Sequence, residues 1–216
     1  MTPKVLICLA GADLPVEARA AWARRADFKI AADAGAERLQ EGGLAADLVI
    51  GDFDSSVQDG YARIHHDHDQ DTSDFEKALA YAEAHHIEHE VLAMCIEGDR
   101  LDHVLVNCLA AARSRLRPSL ASRAGLGVWL TAGKPLVIEI LKGTRLSMIP
   151  IEECVATMSN VKWAYRNRRF GLQHGWSISN EALGPVEASV SEGTALLIID
   201  VPAGTWPSDL VTRASA

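Results

Sequence analysis

The sequence predicts an α/β chain: a mostly parallel N-terminal sheet with flanking helices, followed by a C-terminal all-β sandwich. Two observations carry this. Apolar runs alternate with helical periods up to about residue 130, and beyond about Pro118 short β-branched runs take over, separated by Gly, Asn, Ser and Pro. Strands joined by helices need a parallel sheet with crossovers, whereas closely spaced short strands suit an antiparallel sandwich. The expected division is residues 1–125 and 126–216.

Taken in order, Val5–Ala10 reads as a buried strand and Leu14–Ala26 as an Ala/Arg-rich helix. Phe28–Ala32 is a second strand, and the helix through Ala36–Gln40 is ended by the glycines of "EGG". Leu48–Ile50 is the third strand. Ser73–His86 reads as a helix because "SDFE" forms a capping box, with Ser73 as cap and Glu76 at the third helical position. Glu90–Ile96 is a strand and Asp102–Arg115 a helix. The stretch "RPSLASRAGLG" reads as a linker or an ordered loop. After it come "VWLTA", "PLVIEIL", "RLSMIP" and "ALLIIDV", each a strand-like run.

Bulk properties narrow the function. The 216 residues carry a formal net charge of −8 and 48% hydrophobic residues. That balance disfavours a nucleic-acid-binding surface and suits divalent cations or a cationic small molecule. Cys8, Cys95, Cys108 and Cys154 form no CxxC pair and have apolar neighbours, so free cysteines in a reducing, cytoplasmic setting are expected. The apolar run Val5–Ala10 is too short for a signal-peptide core, and no stretch approaches the roughly 18 apolar residues of a membrane span.

In parallel α/β sheets, ligands bind beyond the carboxyl ends of the strands. Four polar clusters follow predicted strands: Asp33 in "ADAGA"; Asp52 and Asp54 in "GDFDSS"; Asp67, Asp69, Asp71 and Asp74 in "HDHDQDTSDFEKAL"; and Asp99, Arg100, Asp102 and His103 in "EGDRLDHVLVN". Any one of them has a bland explanation, since Gly, Asp and Ser favour turns and Asp74 suits a helix start. Four at one sheet edge repel one another unless a cation joins them. Oxygen donors favour Mg²⁺ or Ca²⁺, and Mg²⁺ commonly completes its shell with phosphate oxygens. Lys77 and Arg100 supply positive charge for a migrating phosphoryl group. The usual nucleotide motifs are absent: "GVWLTAGK" has its first glycine one place too far upstream, and "GLGVWL" ends in leucine. Mg-nucleotide chemistry and a carboxylate-lined site for another metal both remain open on these residues alone. The tracts "HHDHD" and "HHIEHE" look like metal-binding runs, but the second ends a helix, where cationic histidines suit the dipole.

The clusters together resemble the thiamine pyrophosphokinase (thiamine diphosphokinase) family. The motifs that carry the resemblance are "ADAGA" from Ala32, "GDFDS" from Gly51, "DQDTSDFEKAL" from Asp69, "GDRLDHVLVN" from Gly98, "VKWAY" from Val161 and "SISN" from Ser177. They run in the family's order over about residues 32–180. Two positions depart from it: Ala34 and Asp99 stand where the family usually has glycine.

The resemblance implies MgATP-dependent transfer of pyrophosphate to the hydroxyethyl oxygen of thiamine, releasing AMP. Residues 1–125 would form the catalytic nucleotide and Mg²⁺ domain. Residues 126–216 would form the thiamine-binding and dimerisation sandwich of a homodimer with shared active sites. Asp52, Asp54 and Asp74 would hold Mg²⁺ and, with Arg100, act in catalysis. Asp33, Gly35, Asp71, Lys77 and Asp102 would bind the nucleotide, and Gln70, Trp163, Ser177, Ser179 and Asn180 the thiamine. The competing expectations are a pyrophosphokinase for another small alcohol such as a pterin, a non-catalytic thiamine sensor, and a purely structural interaction domain.

Overall fold

Val5–Cys8 and Val91–Met94 are uninterrupted apolar runs, which suits strands covered on both faces. Both lie inside a parallel sheet, with Val5, Leu6, Ile7, Leu92, Ala93 and Met94 almost wholly shielded from solvent. The structure is a computed structural model and describes residues 2–51, 64–66, 71–98 and 100–213. The chain divides into two compact units, Met1–Arg123 and Ala124–Ala216. The mixed α/β class expected from the pattern is met.

The first unit runs β1 (Lys4–Cys8), α1 (Val16–Ala23), β2 (Phe28–Ala32), α2 (Gly35–Glu41), β3 (Leu48–Gly51), β4 (Ile64–His66), α3 (Asp74–His85), β5 (Glu90–Met94), α4 (Leu101–Arg113) and β6 (Ser119–Ser122). Its strands lie in the order β6-β5-β1-β2-β3-β4, and every pairing is parallel. Their carboxyl ends therefore share one edge. Helix α1 starts two residues later than the apolar pattern indicates, because Pro15 is extended (ψ 148°) immediately before it. The stretch read as linker or loop contains β6, whose Ser and Ala residues are weak strand formers but lie buried beside β5. The capping box of α3 is present: the Ser73 amide donates to Glu76 Oε2 at 3.0 Å, and the Glu76 amide donates to Ser73 Oγ at 3.3 Å. That hydrogen bond from the Ser73 backbone holds the Glu76 carboxyl below its ordinary range.

At the far end of α3, the His86 ring lies 4.9 Å from both Phe28 and His89, centroid to centroid. Both His86 ring nitrogens are shielded and bond to nothing among the described residues. Burial, then the neighbouring His89 and His85, push the His86 pKa below its ordinary 6.5. Tyr81 also packs on the cluster, stacked on His85, and Lys29 of the adjoining strand β2 pairs with Asp47, just before β3. The unfolded chain thus takes up this proton more readily than the folded one. The contribution is complete above about pH 6.5 and is lost as the pH falls through that value toward the lowered folded pKa. The urea midpoint is expected to drop between pH 7 and pH 5, and His86→Phe to flatten that part of the profile. An unchanged slope in the variant would assign the loss to other groups.

The second unit runs β7 (Gly125–Thr131), β8 (Leu136–Ile138), β9 (Arg145–Pro150), β10 (Cys154–Val161), β11 (Tyr165–Phe170), β12 (Ser177–Glu192), β13 (Thr194–Ile199), α5 (Pro207–Leu210) and β14 (Val211–Arg213). All its strand pairings are antiparallel. β12 has 16 residues and serves two sheets. Its start, Ser177–Glu181, pairs with β9 beside β13 and β7; from Ala182 onward it pairs with β10 and β8. The register breaks near the changeover, where Leu183, Gly184 and Pro185 pass Asn160 and the Asn160 side-chain amide donates to the Pro185 carbonyl at 2.5 Å.

Candidate active site

The carboxyl ends of β1, β2 and β5 open onto a cavity of about 460 Å³ in the first unit. Its walls come from the segments following those strands and from the first turns of α3 and α4. Close backbone approach shapes it. A Cβ at Gly11 would lie 1.8 Å from the Glu97 carbonyl oxygen, and one at Gly35 would lie 2.0 Å from that of Cys8. Glycine is required at both places because the obstructing atoms are backbone.

Asp33 follows β2, is buried at 7% exposure, and donates its amide to the Ile50 carbonyl at 2.8 Å. Its φ is +44°, a conformation that aspartate adopts more readily than most residues. Ala34 is right-handed, with φ −60° and ψ −3°. The departure from the family glycine at position 34 therefore meets no left-handed backbone: the left-handed residue of the turn is Asp33. Gly51 ends β3 between two carboxylates, since a Cβ there would lie 3.1 Å from Asp33 Cβ and 3.4 Å from Asp74 Oδ1. Asp74 Oδ1 accepts from Lys77 Nζ at 3.2 Å, one helical turn on, and the Lys77 side chain is only 4% exposed. A buried ammonium needs such a partner.

Arg100 precedes α4 and grips Asp102 through two bonds, Nη2 to Oδ2 at 2.6 Å and Nε to Oδ1 at 3.1 Å. The Arg100 donors hold the Asp102 carboxyl well below the usual carboxylate range. Both side chains face solvent, so the pair contributes little to stability.

Of the residues expected to bind nucleotide or metal, Asp33, Asp74, Lys77 and Arg100 line the cavity. Gly35 is buried behind it, Asp71 is exposed, and Asp102 points to solvent; none of these three is a lining residue. Asp52, Asp54, Gln70 and Asp99 lie outside the described residues. Among the described residues no three His, Cys, Asp or Glu side chains converge as a metal cluster. The cavity also includes Gly11, Cys95 and Glu97, which sequence reasoning missed. Gly11 had a signal, a glycine at the end of the first apolar run.

In the second unit Trp163 is 58% exposed on the turn between β10 and β11, with Lys162 Nζ 4.9 Å from its ring centroid. Trp163 is therefore not a core residue of the second unit. Ser177 begins β12, and Ser179 is left-handed at φ +55°, its amide donating to Ser147 Oγ. Nearby Tyr165 has its phenol pushed up to about 12, chiefly by burial. Asn180 is buried and shapes the turn. Its oxygen accepts from the Trp163 and Glu181 amides at 3.1 and 2.9 Å, and its nitrogen donates to the Trp163 carbonyl at 3.0 Å. Asn180→Ala leaves those backbone groups unmatched, so a loss of about 2–3 kcal/mol is expected in urea denaturation. A loss below about 0.5 kcal/mol would show that the clamp is unimportant.

Residues 19–119 match the family model described as the thiamin pyrophosphokinase catalytic domain. No curated protein sequence gives a significant match to the chain. Among solved structures, thiamin pyrophosphokinase from Geobacillus thermodenitrificans superposes with TM-score 0.77 at 22% identity, over 93% of this chain and 98% of that one. The enzyme from Candida albicans gives 0.74 at 14% identity, over 93% and 89%, and the yeast enzyme 0.73 at 16%, over 92% and 86%. At these identities the structural likeness is one of fold.

Proposed function

With residues 19–119 matching the thiamin pyrophosphokinase catalytic-domain model, we propose that the chain transfers pyrophosphate from ATP to thiamine, giving thiamine diphosphate and AMP. The observation that carries this is the cavity at the parallel sheet's carboxyl edge, where Asp33, Asp74, Lys77 and Arg100 meet. A thiamine sensor would have no need of paired carboxylates and cations there.

The oxygen donors beside Gly51 fit a hard divalent cation. Asp74, with Asp52 and Asp54, would hold Mg²⁺, which when bound neutralises charge on the triphosphate. Lys77, fixed by Asp74, adds positive charge without reorganising during reaction. Arg100 exchanges its exposed Asp102 fork for phosphate oxygens, and a guanidinium suits their planar, paired recognition. Asp33, Gly35, Asp71 and Asp102 border the nucleotide in this reading. As the thiamine hydroxyl oxygen attacks the β-phosphorus and gives its proton up to solvent, the bond from the β-phosphorus to the α–β bridging oxygen breaks and AMP leaves. Gln70, Trp163, Ser177 and Ser179 receive thiamine; the exposed indole offers a face to the thiazolium cation. Asn180 acts by holding the Trp163 turn. The same reading takes the two sheets joined through β12 as a sandwich and the protein as a homodimer with shared sites.

The test is AMP formation from MgATP with and without thiamine, alongside detection of thiamine diphosphate. Thiamine-dependent AMP with matching product is expected. Activity with a pterin alcohol alone would overturn the substrate, and thiamine-dependent thermal stabilisation without AMP would favour a sensor. Light scattering that gave a fully active monomer would refute shared sites.

A further inference from the structure

One thiol lines the cavity, a second lies on the neighbouring strand behind it, and neither has a part in the transfer. Cys8 ends β1 and pairs in register with Met94 of the neighbouring β5, so Cys95 is the next residue along. Both cysteines are free, at 0% and 2% exposure. Side chains alternate along a strand, so a fully extended Cys95 would point away from the face shared by Cys8 and Met94. Its φ of +59° breaks that alternation, and its side chain lies close enough to that of Cys8 to interact, while the Cys8 thiol donates to the Leu9 carbonyl at 3.6 Å. The surrounding backbone holds this conformation: the Leu9 amide donates to the Met94 carbonyl and the Gly11 amide to the Cys95 carbonyl, both at 3.0 Å. Cys95 lines the cavity, whereas Cys8 does not. One thiol thus meets whatever enters, and the other waits behind it.

We propose that Cys95 and Cys8 form a peroxide-reactive dithiol in the cavity wall, closing to a disulfide that weakens ligand binding there. The Cys95 sulfur, as thiolate, attacks one oxygen of hydrogen peroxide. The O–O bond breaks, and the departing hydroxide leaves as water with the proton the thiol gave up. Cys95 becomes a sulfenic acid. The Cys8 sulfur then attacks the Cys95 sulfur, the S–O bond breaks, and the hydroxide leaves with the Cys8 proton as a second water. Two thiols are oxidised by two electrons in all and one peroxide is reduced. Burial pushes the Cys8 pKa up, so Cys8 is not the thiol that meets peroxide first. Joining the sulfurs draws the Cys95 backbone, and Gly11 bonded to it, out of their present positions on the cavity wall.

The full chain is treated with hydrogen peroxide, alkylated with iodoacetamide and mapped by mass spectrometry without reduction. A cross-linked peptide joining Cys8 and Cys95 is expected, disappearing after dithiothreitol. Cys95 oxidised to sulfinic acid with Cys8 still alkylatable would overturn the proposal, as would two unoxidised thiols. In a folded Cys8→Ser protein, dimedone should capture Cys95, and absence of the adduct would overturn the order of attack. The wild-type map stands even where that variant fails to fold. Binding of a fluorescent ATP analogue should weaken about tenfold on oxidation; unchanged binding would overturn the effect on the cavity. The cross-link is read by mass alone, so it succeeds or fails separately from the thiamine reading.

Discussion

Asp74→Asn is expected to keep the fold and lower thiamine-dependent AMP formation by on the order of a hundredfold or more. Asp74 opens α3, contacts the nearly buried Lys77, and lies beside Gly51 at the end of β3. Asparagine preserves size and leaves the Ser73–Glu76 cap in place. The fold therefore loses a charge at a helix start, about 0.3–1 kcal/mol, and the ionic part of the Lys77 contact, which the asparagine oxygen keeps as a hydrogen bond. Catalysis loses a charged oxygen where a metal and a triphosphate would gather. Turnover across a Mg²⁺ titration, with circular dichroism as control, measures both. Near-normal turnover at low Mg²⁺ would remove Asp74 from the machinery, and a collapsed spectrum would make its role structural.

The largest stability effect is expected at Gly11→Ala, on the order of 3 kcal/mol. The added methyl would lie 1.8 Å from one backbone oxygen and 2.4 Å from another, those of Glu97 and Cys95, so main chain has to move. Gly43→Ala is the control. Gly43 has φ +69° but no heavy atom within 4 Å of where a Cβ would sit, so only the left-handed penalty of about 1–2 kcal/mol applies. Urea denaturation of both variants separates crowding from backbone strain. Equal losses would show that the space at Gly11 is not what requires glycine.

Much of the first unit was legible because its local signals agree with one another. Continuous apolar runs give the central strands, and "SDFE" gives the start of α3. Carboxylates grouped after strands point to one sheet edge, and Asp33, Asp74, Lys77 and Arg100 do line a cavity there. What escaped depends on tertiary context. β6 is written in Ser and Ala, and β4 is three residues long, so neither carries a pattern. Departure from family glycines drew attention to Ala34, but the unusual backbone lies one residue earlier. Asn180 looks like a ligand-binding residue by its setting in "SISN", yet its bonds go to a turn 17 residues away in sequence. Cys95 resembles any core cysteine until its backbone angle and its neighbour are known.

The passage of β12 from one sheet to the other has a consequence for how the second unit comes apart. A strand confined to one sheet can detach while the other survives, giving partly open forms at modest energy. Here the same 16-residue strand supplies ladder partners to both. Freeing either half removes the anchor of its neighbour, so the two sheets melt as a single foldon. The Trp163 turn is clamped by Asn180 just before the changeover, between the halves paired to β9 and to β10. A molecule resting on that turn would stiffen both sheets together, and its binding energy would be felt at strand ends it never touches.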